Sequence, residues 1–138
     1  MNIAPQLAFA GVCRQAFEFY ARLMGGVITE MNTFGANEDK ALPPGSTAAA
    51  ADQVRFAELS LGKSTLRGND VPAEQHRPMQ GFNVSLHIEG ADEARRIFEA
   101  LGEGGTVTTP LAEVDWAERF GMVTDRFGVP WLVLAAKG

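Results

Sequence analysis

Apolar residues along this chain recur at two spacings, and the switches between them mark its elements. Ala16, Phe17, Tyr20, Leu23 and Met24 share one face at helical spacing, and Gly25-Gly26 closes the run, so a helix is predicted over 13–24. A short strand precedes it at 3–10, ending at Gly11, and "VITEMNTF" (27–34) follows as another strand. "VRFAELSL" (54–61) and "STLRGN" (64–69) read as a hairpin turning tightly at Gly62-Lys63. Between these strands "GANEDKALPPGSTAAAADQ" (35–53) shows no period and carries Pro-Pro-Gly and an alanine run, so it reads as a mobile loop.

The same order returns after a polar stretch. In "FNVSLHIE" (82–89) Val84, Leu86 and Ile88 alternate with Asn83, Ser85 and His87, which puts the polar set on the opposite strand face. "ADEARRIFEALGEGG" then gathers Ala94, Ile97, Phe98 and Leu101 on one helical face. "TVTTPLAEV" (106–114), "WAERFGMVT" (116–124) and "PWLVLAA" (130–136) supply three more strands, with Pro110 and Pro130 expected at strand ends or unpaired edges. An offset of 78 carries Ala16, Phe19, Tyr20 and Leu23 onto Ala94, Ile97, Phe98 and Leu101. The chain therefore reads as a repeat of βαβββ units in an α+β fold: module one 1–70, a linker 71–81 and module two 82–138 within one domain. Paired side by side, such modules make a cupped eight-stranded mixed sheet with helices outside and a cavity inside.

Composition changes this picture little but excludes several roles. At 138 residues, about two-thirds of the unfolded surface can be buried, so no disulfide or metal staple is needed. A net charge of −5 argues against a nucleic-acid surface, which needs clustered Lys and Arg. No apolar run is long enough to span a membrane, and the first fifteen residues lack the basic region and long apolar stretch of a secretory signal. Cys13 is the only cysteine, which fits a reducing cytoplasm.

Three stretches, "GVCRQAFEFYARLMGG", "GFNVSL" and "WAERFGMVTDRFGVPW", resemble the vicinal oxygen chelate superfamily of glyoxalases, bleomycin-resistance proteins and extradiol dioxygenases, and within it the PhnB-like branch. The resemblance runs over nearly the whole chain. It implies a homodimer and a cavity that takes a small molecule. In metal-dependent members of the superfamily, inward His and Glu side chains of both modules hold one divalent ion, which then acts as a Lewis acid. At the matching positions this chain has Pro5, Arg67, Asn83 and Leu132. Proline and leucine offer no donor, arginine is a fixed cation, and an amide alone is weak. The expectation is a cavity with no metal and no cofactor. Some members of the branch carry a ubiquinone-methyltransferase label, yet no strand–Gly-x-Gly–helix start for a nucleotide-like methyl donor occurs here.

The candidate ligand-binding residues are Arg67, Asn83, Ser85, His87 and Trp116. Arg67, if buried, needs either an internal carboxylate such as Glu58 or an anionic ligand, because an unpaired buried charge is costly. With Asn83 beside it, it would favour a small oxygen-rich or anionic molecule. His87, on the face of Asn83 and Ser85, is the one weak catalytic candidate; it is either a general base or a polar residue hydrogen-bonded under a loop. His76, in "AEQHRP", reads as a surface residue. Trp116, Phe120 and Trp131 form an aromatic set; Trp131 is expected against a helix, and Trp116 against a ligand. Cys13 opens the first helix, where the dipole would favour a thiolate, but no His stands near it in sequence and it reads as an inert cysteine. Alternatives to a metal-free binding protein are a lyase, isomerase or dioxygenase with a rearranged metal set of Glu58, His87 and Glu113, and a metal-free acid–base enzyme centred on His87.

Overall fold

Strand β1 (Gln6–Phe9) leads through Gly11 into helix α1 (Cys13–Met24), which buries Cys13, Ala16, Phe17, Tyr20 and Leu23. The computed structural model describes residues 1–35 and 51–138, so most of the 35–53 segment read as a loop lies outside the described residues. Helix α1 ends at Gly25, whose left-handed φ of 71° a side chain would strain. Strands β2 (Val27–Thr33), β3 (Val54–Leu61) and β4 (Ser64–Asp70) follow. In the β3–β4 hairpin Leu61 pairs with Ser64. Gly62 supplies the positive φ, 60°, at the first central position, as a II′ turn requires.

The second half repeats this plan with strand β5 (Val84–Ile88), helix α2 (Ala91–Gly102) and strands β6 (Thr106–Val114), β7 (Ala117–Thr124) and β8 (Pro130–Ala135). Both helix ends are displaced by 78 residues, 13 to 91 and 24 to 102, as the sequence repeat predicts. The chain divides into two compact units, Met1–Arg77 and Pro78–Gly138. Each holds one four-stranded mixed sheet, in the orders β1-β4-β3-β2 and β5-β8-β7-β6. The parallel pairs are β1–β4 and β5–β8. This is the two-module α+β fold anticipated from the sequence. A single 3-10 turn at Ala73–Gln75, in the stretch read as linker, was not anticipated.

The sheet face under each helix is apolar. Leu7, Phe9, Ala57, Leu59 and Leu66 are buried under α1, and Val123, Trp131, Val133 and Ala135 under α2. Each helix also sets an aromatic ring against a strand glycine. A Cβ on Gly68 would lie 2.7 Å from the Phe17 ring, and one on Gly121 would lie 2.8 Å from the Phe98 ring. Trp131 is buried, as expected for a residue facing the helix. Pro110 sits in edge strand β6 within an irregular stretch of its ladder, and Pro130 opens β8, so both occupy the permitted places.

Candidate functional site

Among the described residues, the opposite face of each sheet carries no helix, and that face holds most of the residues singled out from sequence. In the first unit, Arg67 on β4 lies across from Glu58 on β3. The Arg67 Nε donates to Glu58 Oε2 at 2.9 Å, and the guanidinium lies 5.9 Å from the centre of the Phe56 ring. A register shift in β2 beside Thr29 re-aims that side chain. Its hydroxyl donates to Glu58 Oε1 at 3.0 Å. Toward β1, Gln6 Nε2 donates to Asn69 Oδ1 at 2.9 Å. The face is thus polar and cross-linked. Arg67 is not a buried cation: its side chain is 41% exposed and paired with Glu58, the carboxylate partner weighed from sequence.

The second unit's open face has a different character. Parallel pairing sets Ser85 beside Leu132 and His87 beside Leu134. On the far side of β8, Met122 pairs with Leu132 and Phe120 with Leu134. Ser85 and His87 are exposed, and Phe120, Met122, Leu132 and Leu134 are half-buried. Trp116, 62% exposed in the turn before β7, meets the Phe120 ring edge-on at a centroid distance of 5.0 Å. Asn83 stands just before β5, exposed and in phase with Ser85 and His87. The reading of His87 as hydrogen-bonded under a loop does not hold, since it is exposed. His76, read as a surface residue, is partly exposed.

A divalent ion does not fit the residues at the family's metal positions. Pro5 precedes β1 and uses its carbonyl to accept from the Arg67 amide at 3.0 Å. The open-face positions of β1 are then Gln6 and Ala8, not Pro5. Arg67 repels a cation, Asn83 is a lone amide, and Leu132 has no donor. Among the described residues no group of three or more His, Cys, Asp or Glu gathers as an ion would need, the Glu58, His87 and Glu113 set included.

Sequence reasoning passed over the carboxylates that organise the loops. Asp70, placed in the linker edge by sequence, ends β4 and is 3% exposed. Its Oδ1 accepts from the Gly11 and Cys13 amides, both at 3.0 Å, and its Oδ2 from the Val54 amide at 2.9 Å. Asp125, in the "TDRFG" turn, is equally buried. It accepts from the amides of Phe127 and Val129 and, at 2.8 Å, from Trp131 Nε1. The Asp followed by Gly in that turn was the available signal, since aspartate accepts from the backbone two residues on. Cys13 agrees with its reading as an inert cysteine: it is fully buried, and burial foremost, with Asp70 second, pushes its thiol up to about 12. The helix dipole does not make it a thiolate.

The family described as 3-demethylubiquinone-9 3-methyltransferase matches residues 1–134. The chain belongs to that family. Protein YjdN of Escherichia coli K12 is 28% identical over 142 residues, spanning 99% of this chain and 97% of YjdN. The crystal structure of PA1353 from Pseudomonas aeruginosa superimposes with a TM-score of 0.87 at 36% identity, covering 100% of this chain and 99% of that one. A Bacillus cereus PhnB protein, titled a putative 3-demethylubiquinone-9 3-methyltransferase, gives 0.81 at 21% identity over 99% of this chain and 100% of its own. A glyoxylase/bleomycin resistance protein/dioxygenase domain from Frankia sp. EAN1pec shares the fold at a TM-score of 0.65 and 14% identity, over 99% of this chain and 92% of its own. The chain thus has the fold that the resemblance to the vicinal oxygen chelate superfamily implied. The methyltransferase description belongs to the family and names no activity of this chain. Asp70 already accepts from the Gly11 and Cys13 amides at the start of α1, and α2 opens with Asp92 and Glu93, which repel an anion. Among the described residues, no helix is long and apolar enough to cross a membrane.

Proposed function

We propose that this family member binds a small oxygen-rich or anionic molecule on the open faces of its sheets, without a metal. The observation that carries the reading is the second unit's open face. There an apolar floor of Phe120, Met122, Leu132 and Leu134 is edged by the exposed Ser85, His87 and Trp116. Ligand sites combine such apolar surface with a few convergent polar groups. Asn83 adds an amide to this unit, and Arg67 offers a guanidinium on the first unit's own face, both suited to oxygen acceptors. Pairing of two copies belongs to the same reading, supported by the exposed Val27, Phe82 and Val107.

The test is a thermal-shift and calorimetric screen of EDTA-treated protein against hydroxy acids, catechols and small phosphates. A ligand at about a hundred times its Kd stabilises the fold by about 2.7 kcal/mol, a rise of roughly 9 °C for a chain of this length. The His87→Ala and Leu132→Asp variants should each weaken the response. Binding that appears only once a divalent ion is restored would overturn the metal-free reading, and so would stoichiometric metal in natively purified protein.

A further inference from the structure

From the way Glu58 holds Arg67, we infer that the first unit's open face carries an oxyanion subsite, with the Arg67 Nη groups as its donors. A guanidinium has five N–H donors in a rigid fork. The bond to Glu58 is made through Nε, on the side of the fork, and the guanidinium lies 5.9 Å from the Phe56 ring centre. The Nη ends, with four of the five donors, make no hydrogen bond to the protein among the described residues. They stand on a face left open by the helix.

Glu58 is a positioning residue in this arrangement. The Thr29 hydroxyl holds its Oε1 and Arg67 its Oε2, so both oxygens are engaged and the arginine is oriented before any ligand arrives. Such preorganisation removes part of the side-chain ordering cost that binding otherwise meets. An ion pair made only to stabilise the fold gains little at this exposure. A pair that leaves the bidentate end of the fork outward has the geometry for a carboxylate or a phosphate. Among the described strand residues of this face, the other acid is Glu30, which pairs with Glu58 from β2. It lies two strands from Arg67, roughly 10 Å by the usual strand spacing, where solvent screening is effective. Gln6 and Asn69, the nearer polar groups toward β1, are uncharged.

The inference rests on the proposed small-molecule binding and names the class of ligand group that the first unit takes. It is tested by NMR titration of the full chain with sodium phosphate and, separately, sodium acetate, against sodium chloride at matched ionic strength. The signals followed are the arginine Nε–Hε resonances and the backbone amides of residues 64–70. Saturable shifts at Arg67 with either anion are expected, and comparison of the two separates a phosphate from a carboxylate preference. Arg67→Lys keeps the charge but loses the fork, and should weaken binding about tenfold or more. Glu58→Gln keeps an acceptor for Nε and removes a negative charge, so binding should hold or tighten. Shifts that do not saturate, or that survive unchanged in Arg67→Lys, would overturn the subsite. So would weaker binding in Glu58→Gln with an otherwise unchanged spectrum. If both anions leave Arg67 unmoved while a screened compound shifts the amides of Ser85 or His87, the subsite fails and the broader reading stands. If nothing binds in either experiment, both fail.

Discussion

Replacing Asp70 tests whether one buried carboxylate locks the first module together. It joins three places far apart in sequence: the β1–α1 turn at Gly11, the first residue of α1 at Cys13 and the start of β3 at Val54. Asp70→Ala removes every one of these acceptors. A buried N–H left without a partner costs about 1–3 kcal/mol. The Cys13 and Val54 contacts are buried and the Gly11 contact is only partly so. The loss should therefore be about 3–5 kcal/mol, with non-additivity keeping it below the simple sum. Asp70→Asn keeps one oxygen but turns an N–H toward a backbone N–H, and should cost about 2–3 kcal/mol. With an unfolding entropy of roughly 0.3 kcal/mol/K at this length, the alanine variant should melt about 10–17 °C lower. Urea and thermal denaturation followed by circular dichroism give the magnitude. Hydrogen exchange gives the location: protection should fall first at the Cys13 and Val54 amides. An asparagine variant within about 0.5 kcal/mol of wild type, with those amides still protected, would refute the accounting.

Two further outcomes follow from the same core. The Cys13 thiol rises from 9.0 to about 12 because burial disfavours the thiolate, so its contribution is fully present below pH 9 and is lost as pH climbs toward 12. Between pH 8 and 10 wild type should lose about 1.4 kcal/mol more than Cys13→Ala, measured by urea midpoints, and the native thiol should resist alkylation. Gly68→Ala would place a methyl 2.7 Å from the Phe17 ring and 3.2 Å from Cys13 Sγ. It should destabilise by about 1–3 kcal/mol in the same assay, and a neutral result would mean that Phe17 can move aside.

What could be read from the sequence was whatever repeats or alternates. Strands β3 and β6 and helix α1 begin and end where their patterns do. The alternation in β5 correctly put Ser85 and His87 on one face, and that in β8 put Trp131 on the other. Single side chains bridging distant segments left no such trace. Asp70 looked like the edge of a polar linker, and nothing local to it points to Gly11 or Val54. Arg67 was legible as an open-face cation, but its bond to Glu58 depends on the β3–β4 register and on the irregularity that re-aims Thr29. A register slip by one residue would have reversed both faces, which is why pairings were harder to read than elements.

The repeat also explains where this family member is free to differ from other chains of the same fold. Under each helix the packing is tight: the Phe17 ring fills the space beside Gly68, and the Phe98 ring that beside Gly121. Changes there cost stability directly. The open faces carry no such constraint, and they have diverged within one chain. The first is a hydrogen-bonded network around Arg67 and Glu58, and the second an apolar floor with His87 and Ser85 at its edge. A fold that keeps its helix-covered face in both modules can therefore lose a metal's ligands without losing its core. The proposed binding is therefore to be tested on the residues of the two open faces, since a shared fold does not carry chemistry across.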